Sequence, residues 1–268
     1  CAMMRILHVY KDFDPPVRGG VERHLALMCR YQREWAEVSA LTCSRGLRSR
    51  EVVRDGTRVF EVGEWGRFQS APMSLGFPWR LRRAAAQADV VVVHAPNPTA
   101  ELSWLLTRPR AKLAVRYHSD VVRQASAMRV YGPIQMTFLR QADIILPTSE
   151  AYLRSSATLR AVQDRCRVVP LGIVTEDFAA PPADVLDAVR ARYGGPFVLF
   201  SGRHRYYKGL DYLVSAAATI HAPVVIAGDG PERARLVEQA KATGARIFFP
   251  GELSDADLVA HLHACEVF

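Results

Sequence analysis

No run of 18 consecutive apolar residues occurs in the 268-residue sequence, so no membrane-spanning helix is expected. The N-terminus, CAMMRILHVY, lacks the charged region, apolar stretch and cleavage site of a signal peptide and enters a strand-like segment almost at once. Cysteine is sparse. Cys1, Cys29, Cys43, Cys166 and Cys265 are scattered, odd in number and without a Cys-x-x-Cys, which argues against a zinc cage or a disulfide framework. A reducing, cytoplasmic setting fits that usage, either in solution or at the inner face of the membrane. Low-complexity tracts and short-period repeats are missing. Lysine is also rare: of 35 cations only Lys11, Lys112, Lys208 and Lys241 are not arginine.

What is present is ample apolar material, 49% of residues, enough for two small domains. The net charge of +8 is unevenly placed. Residues 1–178 carry 26 Lys and Arg against 17 Asp and Glu, and residues 179–268 carry 9 against 10. An excess of this kind suits an anionic acceptor, a membrane surface or nucleic acid, or is simply an arginine-rich surface.

Short runs rich in Val, Ile and Leu alternate with helix-like segments. Strands are predicted at 5–10, 38–43, 57–62, 89–94, 112–117, 143–147 and 167–171, with helices at 21–35, 81–88, 134–142 and 150–162. The run DVVVVHA is apolar on both faces, as in a parallel sheet covered on each side. The stretch VTEDFAAPPADV pauses the pattern and reads as a linker that runs into a short helix. From Pro196 a second series begins: strands at 197–201, 224–228 and 246–250, helices at 209–219, 232–243 and 255–264. The expected class is α/β, with a Rossmann-like domain at 1–178, a linker at 179–195 and a partial Rossmann-like domain at 196–268. The final ACEVF reads as the opening of one more parallel strand.

Four stretches carry candidate chemistry. In PPVRGGVERHL, Gly19 and Gly20 stand between a strand and a helix start, where free amides and the positive dipole end suit phosphate; a glycine pair there also makes a plain tight turn. In AVRYHSD, His118 closes a strand at the end where open α/β sheets bind ligands. It could donate to a sugar hydroxyl or assist a proton transfer, or be a satisfied structural histidine. His94, closing VVVVHA, has the same position and a weaker claim. In SGRHRYYKG an apolar strand runs through Gly202 into Arg203 and Lys208. A planar fork and a point charge together can clamp a diphosphate and steady a departing phosphate, although a solvated basic loop reads the same way. In IAGDGPER, Gly228 and Gly230 form a turn before a helix that begins near Pro231; FPGELSD repeats that form.

The segments GGVERH, PTSEAY, VVPLGI, SGRHRYYKGLDYLV, AGDGPER and FPGELSD, in that order and spacing, resemble the retaining nucleotide-sugar glycosyltransferases of the large family-four group. The resemblance spans nearly the whole chain. It implies the GT-B fold, two Rossmann-like domains with parallel sheets facing a cleft. It also implies roles: Gly20 against the donor diphosphate, His118 by the donor sugar near the reacting carbon, and Arg203 with Lys208 holding the diphosphate. Gly19, Gly202, Gly228 and Gly230 belong to the same donor-binding loops. The family's glutamate pair, seven residues apart, would follow the strand that opens as CEVF and is not in this sequence. The second domain is therefore expected to be incomplete and the 268 residues inactive or nearly so.

The expected activity is transfer of a hexose, with mannose suggested by the YHSD spelling, to a glycan or lipid-linked acceptor in polysaccharide or glycolipid synthesis. The resemblance implies retention at the anomeric carbon; no paired carboxylate offers a glycosidase-like double displacement, so a front-face path is expected, helped by closure about the linker. No Asp-x-Asp stands in a suitable loop, so no metal and no cofactor are expected. GFPWRLRRAAAQ, at 76–87, joins aromatic residues to Arg80, Arg82 and Arg83 and could rest on an anionic membrane. The competing class is a non-catalytic sugar-nucleotide or nucleic-acid binding module. No aromatic–basic RNA motif or DNA-binding element supports a nucleic-acid partner.

Overall fold

Hydrophobic strands buried on both faces organise each half of the molecule. The computed structural model describes residues 3–17, 19–68, 71–121 and 125–268, and Cys1 lies outside them. The chain divides into two compact units, Cys1–Gly172 and Ile173–Phe268.

In the first unit β1 (Met4–Val9) leads to α1 (Gly20–Gln32), β2 (Ala36–Arg45), β3 (Arg50–Arg54) and β4 (Thr57–Glu64). A small hairpin, β5 (Gly66–Phe68) and β6 (Ala71–Met73), precedes α2 (Phe77–Ala85). Then come β7 (Val90–Ala95), α3 (Pro98–Thr107), β8 (Lys112–Tyr117), α4 (Ala125–Leu139), β9 (Ile144–Pro147), α5 (Glu150–Ser155) and α6 (Ala157–Arg160). The sheet order is β3-β4-β2-β1-β7-β8-β9, parallel except for β3 against β4. Chain order reverses between β1 and β7, and this switch point is where such sheets bind ligands, beyond the strands' carboxyl ends. Leu7, Val9, Val91, Val93, Leu113 and Val115 fill one face of the sheet; Ile6, Val38, Ala40, Val92 and Ala114 fill the other.

The second unit opens with α7 (Ala183–Tyr193) and continues as β10 (Val198–Ser201), α8 (Leu210–Ala216), β11 (Val224–Ala227), α9 (Arg233–Thr243), β12 (Ile247–Gly251) and α10 (Asp255–Ala264). Its sheet runs β10-β11-β12, all parallel. Val267 makes a parallel bridge to Val198, and its carbonyl accepts from Leu199 N at 2.8 Å. Residue 267 therefore pairs with the edge of β10 away from β11, which makes β10 the switch strand of this unit.

Several expectations need correction. The stretch 179–195 holds the short helix expected of it, α7, but Val189 and Tyr193 of that helix lie in the core with Phe197 and Leu199. The division also falls before residue 178, because the Phe178 carbonyl accepts from His263 Nε2 at 2.9 Å and is tied to α10. Residues 167–171 are not a strand. Arg167 and Val169 donate to Ile145 and Pro147 of β9, but Pro170 has no amide to continue the ladder. The helix predicted over 150–162 is two, because Ser156 is extended and its hydroxyl caps α6 at Leu159 N. The β3–β4 hairpin was missed although its signal is present: Asp55 and Gly56 both have positive φ, 43° and 71°, the Asp-Gly turn that suits a two-residue hairpin. Helix α3 was missed too. Its Asn97 cap and Pro98 start were readable, but its apolar pattern is not one-sided.

Some of the first unit's arginines are held in ion pairs. Arg50 and Arg54 of β3 pair with Glu61 of β4. Arg67 grips Asp12 through two bonds of 2.7 Å and reaches Glu64 at 2.7 Å, which pins the β5 hairpin to the loop after β1. The described cysteines are all unpaired, and burial pushes the Cys29 and Cys43 thiols up to about 12, leaving them unreactive.

Candidate functional site

The second unit brings three strand ends together. β10, β11 and β12 each finish at a glycine with positive φ: Gly202, Gly228 and Gly251. Gly202 N donates to the Ala227 carbonyl at 3.1 Å and Gly228 N to the Gly251 carbonyl at 2.6 Å, so the ends stay zipped past the strands. A side chain on Gly228 would sit on the Gly202 carbonyl, and one on Gly230 would meet the His204 carbonyl at 2.5 Å. Backbone packing alone therefore demands glycine at 228 and 230, whatever approaches from outside. Gly228→Ala should lower the stability of this unit by about 2–4 kcal/mol, read from urea unfolding, since φ of 112° and the clash act together. A wild-type midpoint would contradict the packing.

His204 shapes what lies above these ends. Its ring is fully buried, its amide donates to the Asp229 carbonyl at 2.8 Å, and its carbonyl accepts from Glu232 N at 3.2 Å. The two residues expected to act, Arg203 and Lys208, flank this anchor and are exposed. Neither forms a salt bridge among the described residues, and Lys208 Nζ lies 5.8 Å from the Tyr207 ring. A pinned backbone thus presents two uncommitted cations at the carboxyl end of the switch strand.

The first unit contributes a second cluster, at the ends of β1, β7 and β8. His8 and His94 are fully buried and His118 is half-buried. His8 Nε2 meets Gln32 Oε1 at 2.7 Å, His8 Nδ1 meets His94 Nε2 at 3.1 Å, and His94 Nδ1 meets His118 Nε2 at 3.0 Å. The His94 and His118 rings stack with centroids 5.2 Å apart, and His24 of α1 meets His118 edge-on at 5.7 Å. Burial pushes His8 and His24 down to about 4 and His118 to about 3, and holds His94 far below the ordinary histidine range. Arg116, 1% exposed, adds to this. Its guanidinium donates to the Pro170 carbonyl at 3.1 Å and stands near His24, His94 and His118, disfavouring further positive charge.

Of the residues named from sequence, His118 follows β8, one strand beyond the β1–β7 switch point, and its amide donates to the Ala95 carbonyl at the end of β7 at 2.9 Å. His94 is interior, bridging His8 and His118, so it is structural. Gly19 caps α1 with extended backbone, and Gly20 is the first helical residue, exposed, with nothing within 4 Å of where a side chain would start. Sequence reasoning missed His8, His24, Gln32 and Arg116. The clue to His8 was a polar residue inside the otherwise apolar run ILHV of the central strand.

Comparison with known proteins identifies the family. A model described as glycosyl transferase 4-like domain matches residues 19–172, and one described as glycosyl transferases group 1 matches 187–268. The chain belongs to this glycosyltransferase family. It is 34% identical over 266 residues to O-antigen chain mannosyltransferase C of Escherichia coli, covering 98% of this chain and 71% of that protein. It is 35% identical over 261 residues to the D-rhamnosyltransferase WbpZ of Pseudomonas aeruginosa, covering 97% and 68%. Among solved structures, Anabaena HepE in complex with UDP-glucose superimposes with a TM-score of 0.74 at 17% identity, covering 98% of this chain and 72% of that one. Sucrose-phosphate synthase from Thermosynechococcus elongatus gives 0.73 at 18%, covering 98% and 74%. The glycosyltransferase thus has the GT-B type of α/β fold, as the order of its motifs implied.

Proposed function

We propose that this glycosyltransferase moves a hexose, mannose first among the candidates, from a nucleoside-diphosphate sugar to a glycan or lipid-linked acceptor of a cell-surface polysaccharide. Its relatives in Escherichia coli and Pseudomonas aeruginosa are named for mannose and rhamnose transfer. Another, 30% identical from Mycobacterium tuberculosis, is named as GDP-mannose-dependent. The single observation that carries the site assignment is the pinned loop after β10, with Arg203 and Lys208 exposed and unpaired beside it.

In this reading the two cations hold the donor diphosphate. The bond from the anomeric carbon to the diphosphate oxygen breaks, and the acceptor oxygen bonds to that carbon on the same face. The acceptor's proton passes to the leaving diphosphate. Arg203 and Lys208 stabilise the charge that builds there, each by a few kcal/mol. Configuration is retained, and with both cations in place no metal is needed for this step. His118 meets the hexose, and the amide end of α1 at Gly20 meets the diphosphate.

GDP-mannose titrated into the chain by calorimetry tests this. Gly20→Asp isolates the helix start. Space around residue 20 is open and an acidic first turn favours the helix, so the variant should fold at least as stably as wild type. The new charge should nevertheless weaken GDP-mannose binding by roughly tenfold. Equal affinity would remove Gly20 from the donor site. Absence of binding by GDP-mannose, UDP-glucose and their free nucleotides alike would overturn the function.

The acceptor side carries a membrane reading. No helix among the described residues is long and apolar enough to cross a bilayer. Helix α2 buries Phe77, Leu81 and Ala85 and exposes Trp79, Arg80, Arg82 and Arg83, with Leu75 exposed just before it. None of those arginines forms a salt bridge among the described residues. A basic face bearing a tryptophan suits the inner leaflet's anionic lipids, at roughly 1 kcal/mol per cation. The chain should float with phosphatidylglycerol vesicles at low salt and stay behind with phosphatidylcholine ones. No flotation with either removes the idea.

A further inference from the structure

The geometry points to a tautomer relay: Gln32, through His8 and His94, fixes His118 with its proton on Nε2 and its Nδ1 bare, so that His118 meets substrate as a hydrogen-bond acceptor. The argument is one of counting protons. Gln32 presents Oε1, which can only accept, so His8 Nε2 carries a proton and donates across 2.7 Å. A neutral imidazole has one N–H, so His8 Nδ1 is an acceptor and the N–H across 3.1 Å belongs to His94 Nε2. The same step leaves His94 Nδ1 as an acceptor, and His118 Nε2 donates to it across 3.0 Å. Every imidazole in the row is then the Nε2–H form. The row ends at His118 Nδ1, which has no partner among the described residues.

Neutrality is what makes the counting valid, and the site enforces it. His8 and His94 are fully buried, and the buried Arg116 adds positive charge beside His24, His94 and His118. The relay begins at Gln32, the last residue of α1, crosses the central strands β1 and β7, and ends past β8, so a side chain at the far end of that helix sets the polarity of the group that faces the hexose. This reverses one sequence expectation, that His118 donates to a sugar hydroxyl. A bare Nδ1 accepts from a hydroxyl and discriminates against anionic oxygens. Gln32, His8 and His94 are positioning residues, since they act through His118.

The tautomer rests on the row's geometry, with Gln32 Oε1 turned to His8, and on its neutrality, whereas the sugar hydroxyl as its partner rests on the glycosyl-transfer reading above. Long-range proton–nitrogen correlation spectra of the histidine-labelled chain read the tautomer without any substrate. All three ring systems should show a protonated Nε2 and a bare Nδ1. Gln32→Glu keeps the acceptor and should preserve the His118 pattern. Gln32→Leu, at the solvent-facing end of α1 where folding should survive, removes it; the excess of the Nε2–H form at His118 should then fall by roughly tenfold. A His118 with its proton on Nδ1 in the wild type, or a Gln32→Leu spectrum unchanged at His118, overturns the relay. A confirmed relay in a chain that binds no nucleotide sugar would instead count against the function and leave the relay standing.

Discussion

Lys208→Ala should weaken binding of GDP by roughly tenfold or more, and the double variant Arg203→Ala/Lys208→Ala by several hundredfold, with the fold intact. The expectation is large because neither side chain has protein work to do. Both are exposed, neither forms a salt bridge among the described residues, and the backbone beneath them is held by His204 rather than by their charges. Truncation therefore removes the ligand contact and little else. The transfer rate should fall at least as far as the affinity, since charge on the diphosphate grows as the sugar leaves. Lys208→Arg should recover only part of the loss, because a planar fork does not replace a compact ammonium. Calorimetry with GDP decides the point; wild-type affinity in Lys208→Ala would end the clamp.

Acid should unfold the first unit well before its carboxylates are neutralised. The histidines of the relay and His24 are held neutral when folded, at about 4 for His8 and His24 and about 3 for His118, whereas an unfolded histidine takes its proton near 6.5. Above pH 6.5 both states are neutral and nothing is lost. As pH falls below 6.5 the unfolded chain binds protons that the folded chain cannot, and stability drops until the folded values are reached. His8 alone, fully buried, accounts for about 3 kcal/mol by pH 4, a large part of a typical domain's stability. Glu101 works in the opposite direction. Burial among α3 and α4 raises it to about 7 although Asn97 N and the Tyr131 hydroxyl donate to it, so acidification from pH 7 returns some stability. One carboxyl does not offset four imidazoles. The urea midpoint should fall steeply between pH 6.5 and 4, and Glu101→Gln should make the fall steeper. A midpoint flat over that range would show that the histidines titrate normally.

The two clusters differ in how far they could be read beforehand. Arg203 and Lys208 were legible because a strand that ends in cations is locally odd, and because lysine is rare in this chain. His118 was legible as a strand-end residue but not in its polarity. That depends on a glutamine 86 residues earlier and on two histidines that only strand pairing brings together. His94 was weighed as a ligand because its position along the chain matches that of His118, and only burial separates them. The glycines were found for their loops, yet their necessity at 228 and 230 comes from neighbouring strand ends that sequence spacing does not reveal.

The sequence by itself determined the alternation of strands and helices, and hence two parallel α/β halves. Period and composition are local, and local signals survive in one dimension. It also determined the family, through six motifs in order, and it singled out two cations at a strand's end. Tertiary structure decided what depends on who lies next to whom. It packed the helix expected at the end of the linker into a core, because Val189 and Tyr193 have partners in the second unit. It set Arg50, Arg54 and Arg67 into ion pairs across strands and hairpins. It aligned Gln32, His8, His94 and His118 into one row, since hydrogen bonds a few ångströms long between residues tens of positions apart exist only once the sheet has formed.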